Sequence, residues 1–494
     1  MQADDLQRLA IAAMRTRGLH PEFSAEATLE AEALRLRPPE ADAGVQDLRG
    51  LLWFSIDNHD TRDLDQLSWA EALPGGAARL LVAVADVDVM VRPGRAIEAH
   101  AAANTTSVYT AAGVFPMLPE TLSTDLSSLH EGEDRLAVVV DMQIAADGSV
   151  GDARLIRALV HNHARLVYEP VAAWLELDPA EAPLTGAAAP PWLRLPGLAE
   201  QLRLHDDIAT RLRRWRVKSG ALSVKTGEPR PVFEHGRLVD LRPDEKNRAK
   251  ELIADLMIAA NGATARFLAA RRYPSLRRML MAPRRWDRIV ALARQHGAEL
   301  PDQADALALE SFLRARRESD PAGFADLSLA VVKLLGSGEY AAEAPGNDQV
   351  PASPGHFGLA VADYAHSTAP NRRYPDLVTQ RIVKAALAGA PAPYGAEQLA
   401  AIARHCTLQE DNARKVERQV LKAAAALLLH GRIGDSFDAI VTGASAKGTF
   451  VRIQRPTVEG RVVRGFEGLD VADTARVRLL GVDAEQGFID FERV

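Results

Sequence analysis

From Ile56 the chain reads Ile-Asp-Asn-His-Asp-Thr-Arg-Asp-Leu-Asp-Gln, so that Asp57, Asp60, Asp63 and Asp65 crowd into one short stretch ending at Gln66. Carboxylates packed this closely repel one another unless a cation lies among them, and a cluster of hard oxygens favours Mg²⁺ or Mn²⁺ over zinc. Cys406 is the only cysteine, which leaves no thiolate zinc site. An EF-hand matches poorly, because no glycine stands at the turn of a calcium loop and no Glu closes a twelve-residue frame. A solvated Asp-rich turn capping a helix is the plainer alternative. A second stretch, Tyr364-Ala-His-Ser-Thr-Ala-Pro-Asn-Arg-Arg-Tyr-Pro-Asp-Leu377, sets Arg372 and Arg373 just after Pro370. Two guanidiniums behind a proline that fixes the backbone make either a phosphate clamp or a surface turn before a helix.

The elements that must position these groups follow from periodicity. Residues 51–56 form an apolar run that predicts a strand ending at Asp57. Residues 78–91 alternate as a second strand with Asp86 and Asp88 at its end, and residues 136–144 and 153–160 read as two more. Leu6, Leu9, Ala10, Ala13 and Met14 recur at helical spacing, Pro21 breaks the pattern, and a second helix is expected over 25–36. That pair is either a helix-turn-helix unit or a plain helical brace. Further helices are expected over 249–270, 286–295, 307–317, 327–335 and 396–430, the last carrying Glu417. Segments 37–44, 178–197 and 341–355 have the Pro, Gly and Ala content of linkers and loops. The basic run from Arg211 to Lys218 reads as a solvated helix face. From Gly434 onward, short strands with turn signals fit a five-stranded OB barrel.

At 494 residues the chain exceeds one ordinary domain, and its 47% apolar and 25% charged residues describe a globular protein with ample core. A net charge of -7 argues against non-specific coating of nucleic acid while leaving room for a local basic channel. A single cysteine rules out a disulfide framework and fits a reducing compartment. With no signal peptide and no run of eighteen apolar residues, the expectation is a cytoplasmic protein without membrane attachment.

Four separated stretches, in this order, resemble the ribonuclease II / ribonuclease R family of exoribonucleases, built on the RNB catalytic domain. They are Ile56-Asp57 with Asp60, Arg62, Asp63 and Asp65; Thr106-Ser-Val-Tyr109 with Pro116-Met-Leu-Pro-Glu and Leu122-Ser123; Tyr364, His366, Thr368 and Pro370 with Arg372-Arg-Tyr-Pro-Asp-Leu377; and Glu417-Arg418. The terminal barrel resembles the S-one type of OB fold. The resemblance implies an α+β chain with a helical segment at 1–48, an RNB catalytic domain of mixed sheet and helices at 49–432, and an RNA-binding barrel at 433–494. It further implies processive hydrolysis of single-stranded RNA from the 3′ end to nucleoside 5′-monophosphates.

In that reading two Mg²⁺ ions, or Mn²⁺, are held by Asp57, Asp63, Asp65 and more weakly Gln66. Asp65 has the largest catalytic role, Arg372 stabilises charge at the scissile phosphate, and Asp60 shapes the loop. Tyr109 stacks on a base near the 3′ end, while Glu417, Arg373, Phe450 and Arg452 are further RNA contacts, with a core position favoured for Phe450. Three departures stand out. Gln66 replaces the family's usual fourth aspartate, Ala369 and Asn371 replace the usual Ser and Ile, and short helices take the place of the two cold-shock barrels of longer members. The expected partner is single-stranded RNA alone, bound by a monomer that needs no other protein. Two rival readings are an RNB-fold RNA-binding protein whose chemistry was lost at Gln66, and a two-metal phosphodiesterase acting on single-stranded DNA.

Overall fold

The structure is a computed structural model that describes residues 3–37, 44–178, 190–224, 229–234, 237–243, 246–321, 323–344, 355–445, 448–470 and 473–494. Most of each expected loop, at 37–44, 178–197 and 341–355, lies outside the described residues. The architecture is α+β, with a six-stranded sheet, surrounding helices and a closed five-stranded barrel at the C-terminal end. Trp53 and Phe54 are fully buried in the Trp53–Asp57 strand, and burial of such side chains contributes about 1.5–3 kcal/mol each. That strand runs parallel to the end of the Val150–Val167 strand, with Asp57 opposite Val167, and antiparallel to Gln66–Ala72. The aspartate stretch is therefore the connection between two neighbouring strands at one end of the sheet.

Ala78–Ala85 and Asp134–Ile144 extend the sheet. The first part of Val150–Val167 pairs with Asp134–Ile144 and its last part with Trp53–Asp57, which curls the sheet back on itself. The second strand stops at Ala85 instead of running to Val91. Asp86 and Asp88 are not at a strand end in solvent but buried. Lys384 reaches both, at 2.8 and 2.9 Å, and Arg381 bonds Asp88 at 3.0 Å. Arg381 also bonds Glu98, the Tyr394 hydroxyl and the Val91 carbonyl. Through these contacts the Tyr374–Leu387 helix, which follows directly on the two arginines, is fixed beneath the sheet.

The expected helices are all present to within about a turn, and the last is a single rod, Ala396–Leu429. Three strand pairs were not foreseen: Val108–Thr110 with Gly113–Phe115, Pro229–Glu234 with Arg237–Pro243, and Ser275–Met279 with Glu339–Glu343. The segment expected to loop from residue 341 instead begins inside the Glu339–Glu343 strand, because its partner is remote in sequence. The first helix packs against the segment that carries Val108 and against the long helix. Leu6, Ala10, Ala13 and Met14 pack with Val108, Phe115, Val416 and Val420 in one apolar cluster.

Among the described residues one helix, Arg248–Ala270, is long and apolar enough to cross a membrane by length and composition, although Glu251, Asp255 and Arg266 interrupt its apolar residues, and 72% of its apolar window is buried inside the protein. The barrel orders Ser436–Ser445, Gly448–Gln454, Thr457–Arg464, Phe488–Arg493 and Thr474–Asp483 in a ring, and its core is continuous with Ala425, Ala426 and Leu429 of the long helix.

Arg381, only 4% exposed in its side chain, carries the tie between the sheet and the arginine-bearing segment. Replacement by Met leaves Glu98 without its cation and Asp88 with Lys384 alone, and breaking a buried pair from one side costs about 3–5 kcal/mol. Chemical denaturation of Arg381→Met is expected to show a loss of that size, and a change under about 1 kcal/mol would contradict the assignment.

Candidate active site

The aspartate loop is shaped by its own first residue. Asp57 Oδ1 accepts from the Asn58 amide at 2.7 Å and the Thr61 hydroxyl at 2.8 Å, a local turn of the kind Asp favours. Ser128 then pins the loop from outside, donating to the Arg62 carbonyl and accepting from the Leu64 amide. Leu64 is buried as an apolar anchor, which leaves its flanking carboxylates, Asp63 and Asp65, partly and almost wholly withdrawn from water. Asp60 stays exposed.

Asp65 is 3% exposed. Its Oδ2 accepts from Arg372 Nε at 3.0 Å and its Oδ1 from the Asn371 amide at 3.3 Å. Burial pushes its carboxyl up to about 7, against the pull of the Arg372 charge and with a further upward push from Asp63. Burial also raises Asp63, with Arg372 opposing and Asp57 adding to the rise. The Arg372 side chain remains 41% exposed, and its Nη groups have no protein partner among the described residues.

Tyr109 is brought to the same place by backbone bonds. Thr105, in the left-handed region at φ 60°, ends the Ala96–Asn104 helix and turns the chain alongside the arginine loop. The Ser107 amide and the Thr106 hydroxyl then donate to the Arg372 carbonyl, and the Tyr374 amide donates to the Thr105 carbonyl. Tyr109 follows with its ring 45% exposed, its hydroxyl 3.5 Å from Asp63 Oδ2, and its amide donating to Glu417 Oε1 at 3.0 Å. Asp60, Asp63, Tyr109 and Glu417 line a cleft of about 2140 Å³.

Among the described residues, no three His, Cys, Asp or Glu side chains converge as a ready-made ligand set. Asp63 is nevertheless within electrostatic reach of both Asp57 and Asp65, and these carboxylates are all hard oxygen donors. The donor chemistry fits Mg²⁺ or Mn²⁺. Gln66 has its amide nitrogen committed to the Thr368 carbonyl at 2.8 Å.

Several expected contacts have other uses. Arg373 turns away from Arg372 and bonds Asp376 at 2.7 Å, because consecutive residues at a helix entrance face apart. Glu417 lines the cleft but also holds the backbone of Tyr109. Phe450 is not in the barrel core: burial alternates along its strand, placing Thr449, Val451 and Ile453 inside and Phe450 half-exposed on the outer face. Arg452, on that outer face, is ion-paired with Asp326 of the Phe324–Leu335 helix and so ties the barrel to its neighbour. In the basic run, Arg213 and Arg216 bind Asp255, and Arg211 binds Asp207.

Sequence reasoning missed Tyr168, which follows the Val150–Val167 strand and lies within electrostatic reach of Asp57 and Arg372. It also missed the cations Arg242, Lys246, Lys250, Arg414 and Arg455, which line the cleft among acids such as Glu120, Glu169 and Glu176. These residues come from distant segments, so no local run announces them.

Residues 45–389 match the RNB domain, and residues 435–494 match the RNase II-type exonuclease C-terminal S1 domain. Ribonuclease R of Escherichia coli strain K12 is 31% identical over 447 residues, covering 86% of this chain and 52% of its own length. Exoribonuclease 2 of Escherichia fergusonii is 32% identical over 351 residues, covering 70% of this chain and 51% of its own. The chain thus spans about half the length of these curated relatives. Among solved structures, Mycoplasma genitalium RNase R in complex with ribose methylated single-stranded RNA shares the fold with a TM-score of 0.86 at 20% identity, over 99% of this chain and 78% of that one. With the RNB match covering most of the sequence and an S1 barrel following it, the chain belongs to the RNB-domain family of ribonuclease II and ribonuclease R.

Proposed function

We propose that this chain hydrolyses single-stranded RNA processively from the 3′ end and releases nucleoside 5′-monophosphates. The observation that carries the reading is the pairing of buried Asp65 with a half-exposed Arg372, beside Asp63 and Tyr109, next to a cleft of about 2140 Å³ whose charged lining includes Lys246, Lys250, Arg418 and Arg455. The names of the relatives and the RNA bound to a structural neighbour support it.

Asp57, Asp63 and Asp65 would hold Mg²⁺, two ions at turnover, which when bound supplies an activated water and neutralises the leaving oxygen. The water oxygen forms the new bond to phosphorus, and the bond from phosphorus to the 3′ oxygen of the preceding nucleotide breaks. Arg372, aimed by its Nε bond to Asp65, has its other N–H groups available for the charge that develops on the phosphate oxygens. Tyr109 offers its ring face to a base, in a position set by Glu417 and by the bonds between its strand and the arginine loop. The basic residues along the cleft donate to the phosphates of the strand behind.

A time course on 5′-labelled RNA and its DNA counterpart, with Mg²⁺ or with EDTA, tests the reading. Wild type is expected to shorten RNA alone, in Mg²⁺ alone, to a short limit product, while Asp65→Asn retains RNA uncut. Retention without cleavage by wild type would favour the binding-protein reading, and cleavage of DNA at an equal rate would favour the phosphodiesterase.

Tyr109→Ala is expected to weaken binding of the 3′ end by roughly 5- to 150-fold, the equivalent of about 1–3 kcal/mol of stacking. Tyr109→Phe should stay within about threefold of wild type, because the hydroxyl stands at the long limit of a bond to Asp63. Equal losses in both variants would show that the hydroxyl, not the ring face, matters.

The raised carboxyl of Asp65 sets a pH limb. With a value of about 7, Asp65 is mainly protonated below neutrality and ionised above it, and an ion ligand must be ionised. At subsaturating Mg²⁺, kcat/KM is expected to climb by up to about tenfold per pH unit from about pH 5.5 to 7 and to level above, with saturating Mg²⁺ moving the limb to lower pH. A profile flat across that range would remove Asp65 from the ion site.

A further inference from the structure

The arginine loop at 364–373 has no strand or helix of its own, so side chains from elsewhere hold its backbone. Asn261 Oδ1 accepts from the Ser367 amide and hydroxyl at 2.8 and 2.9 Å. Asp376 Oδ1 accepts from the Ala369 amide at 2.9 Å. The Arg372 carbonyl is held by Ser107 and Thr106 and the Tyr364 carbonyl by the Arg278 amide, and two further holds come from adjacent residues. Gln66 Nε2 donates to the Thr368 carbonyl at 2.8 Å, and Asp65 accepts from the Asn371 amide and Arg372 Nε. Both residues stand where the Gln66–Ala72 strand enters the sheet, with Gln66 paired to Val84, so the grip comes from a rigid base. A loop held at Thr368 and again at Asn371 and Arg372 cannot pivot about either point.

The residue type at 66 decides whether this second hold exists without an ion. A carbonyl needs a donor, and a primary amide supplies one. An ionised Asp or Glu in the same place only accepts, so it would face the Thr368 carbonyl oxygen with like polarity beside the charges of Asp63 and Asp65. Such a side chain would need a cation between itself and its surroundings.

We propose that Gln66 is a positioning residue that locks the Arg372 loop through Thr368 independently of any bound cation, rather than a ligand of one. The consequence for catalysis rests on the hydrolytic reading above; the lock itself does not. Arg372 is then already aimed before Mg²⁺ arrives.

Hydrogen exchange of the Ser367, Ala369 and Asn371 amides in the full chain tests this, with Mg²⁺ and with EDTA. Wild-type exchange is expected to agree within about twofold in the two conditions. Gln66→Asp and Gln66→Glu should exchange about fivefold or more faster in EDTA, the change equivalent to one lost hydrogen bond, with Gln66→Asp regaining protection in Mg²⁺. The Val451 and Ile453 amides of the barrel, unchanged from wild type, report that the variants are folded. Wild-type protection that itself requires Mg²⁺ would overturn the proposal, and this comparison needs no variant to fold.

On RNA, Gln66→Met, which removes the donor without adding a charge, is expected to lose kcat by at least about fivefold, with KM and the Mg²⁺ midpoint within about twofold. A midpoint shifted about tenfold or more with loop exchange unchanged would instead make Gln66 an ion ligand. If wild type cuts no RNA, the hydrolytic reading fails while the exchange comparison still decides the lock.

Discussion

A carboxylate that is 3% exposed has lost most of its water, and Asp65 compensates with one guanidinium bond and one backbone amide. Both donors lie in the arginine loop, far along the chain. Folding must therefore deliver that loop to the end of the Trp53–Asp57 strand, or leave an acid in a low-dielectric place without partners. Much of the structure near the site serves this delivery. The loop continues into the Tyr374–Leu387 helix, Asp376 at its start accepts from Ala369 and Arg373, and Arg381 and Lys384 further along bind the acids beyond the second sheet strand.

The same constraint explains why Tyr109 stands where it does. Its strand is bonded to the arginine loop through Arg372 and Tyr374, to the long helix through Glu417, and to the first helix through the packing of Val108. The aromatic ring and the guanidinium are thus two outputs of one backbone arrangement. A disturbance of the N-terminal helices would be transmitted to the ring by the apolar contacts of Leu6, Ala10, Ala13 and Met14. Helices that read from sequence as a separate unit are, by these contacts, part of the mounting of the cleft.

The sequence was most legible where chemistry is local. Four aspartates within a few residues of a strand end have few uses, and the apolar run before them predicts its strand, although the Gln66–Ala72 strand after them was not foreseen. It was least legible where direction matters. Arg372 and Arg373 are neighbours of one type, yet one is half-exposed beside Asp65 and the other is bound to Asp376, because successive side chains leave the backbone at different angles. Phe450 and Arg452 share a face of one strand, but the cation on that face is consumed by Asp326 from a helix that no strand pattern foretells. The charged cleft lining is hard to foresee for the same reason, being assembled from separate segments.

Gln66 is where the two kinds of legibility collide. As a letter it reads as a missing acid, and a missing acid reads as lost chemistry. In space its amide does something an ionised carboxylate cannot, donating a hydrogen bond to the Thr368 carbonyl while the adjacent Asp65 holds Arg372. A site drifting out of use would be expected to lose its costly features first, and a buried carboxylate with a raised pKa is among the costliest. Here that carboxylate, its arginine, the neighbouring Asp63 and the ring of Tyr109 are assembled around a long cleft. The amide at 66 is then better understood as a change in how the site is braced than as a sign of its decay. One charge fewer among Asp57, Asp63 and Asp65 also lowers the repulsion that must be overcome before a cation arrives.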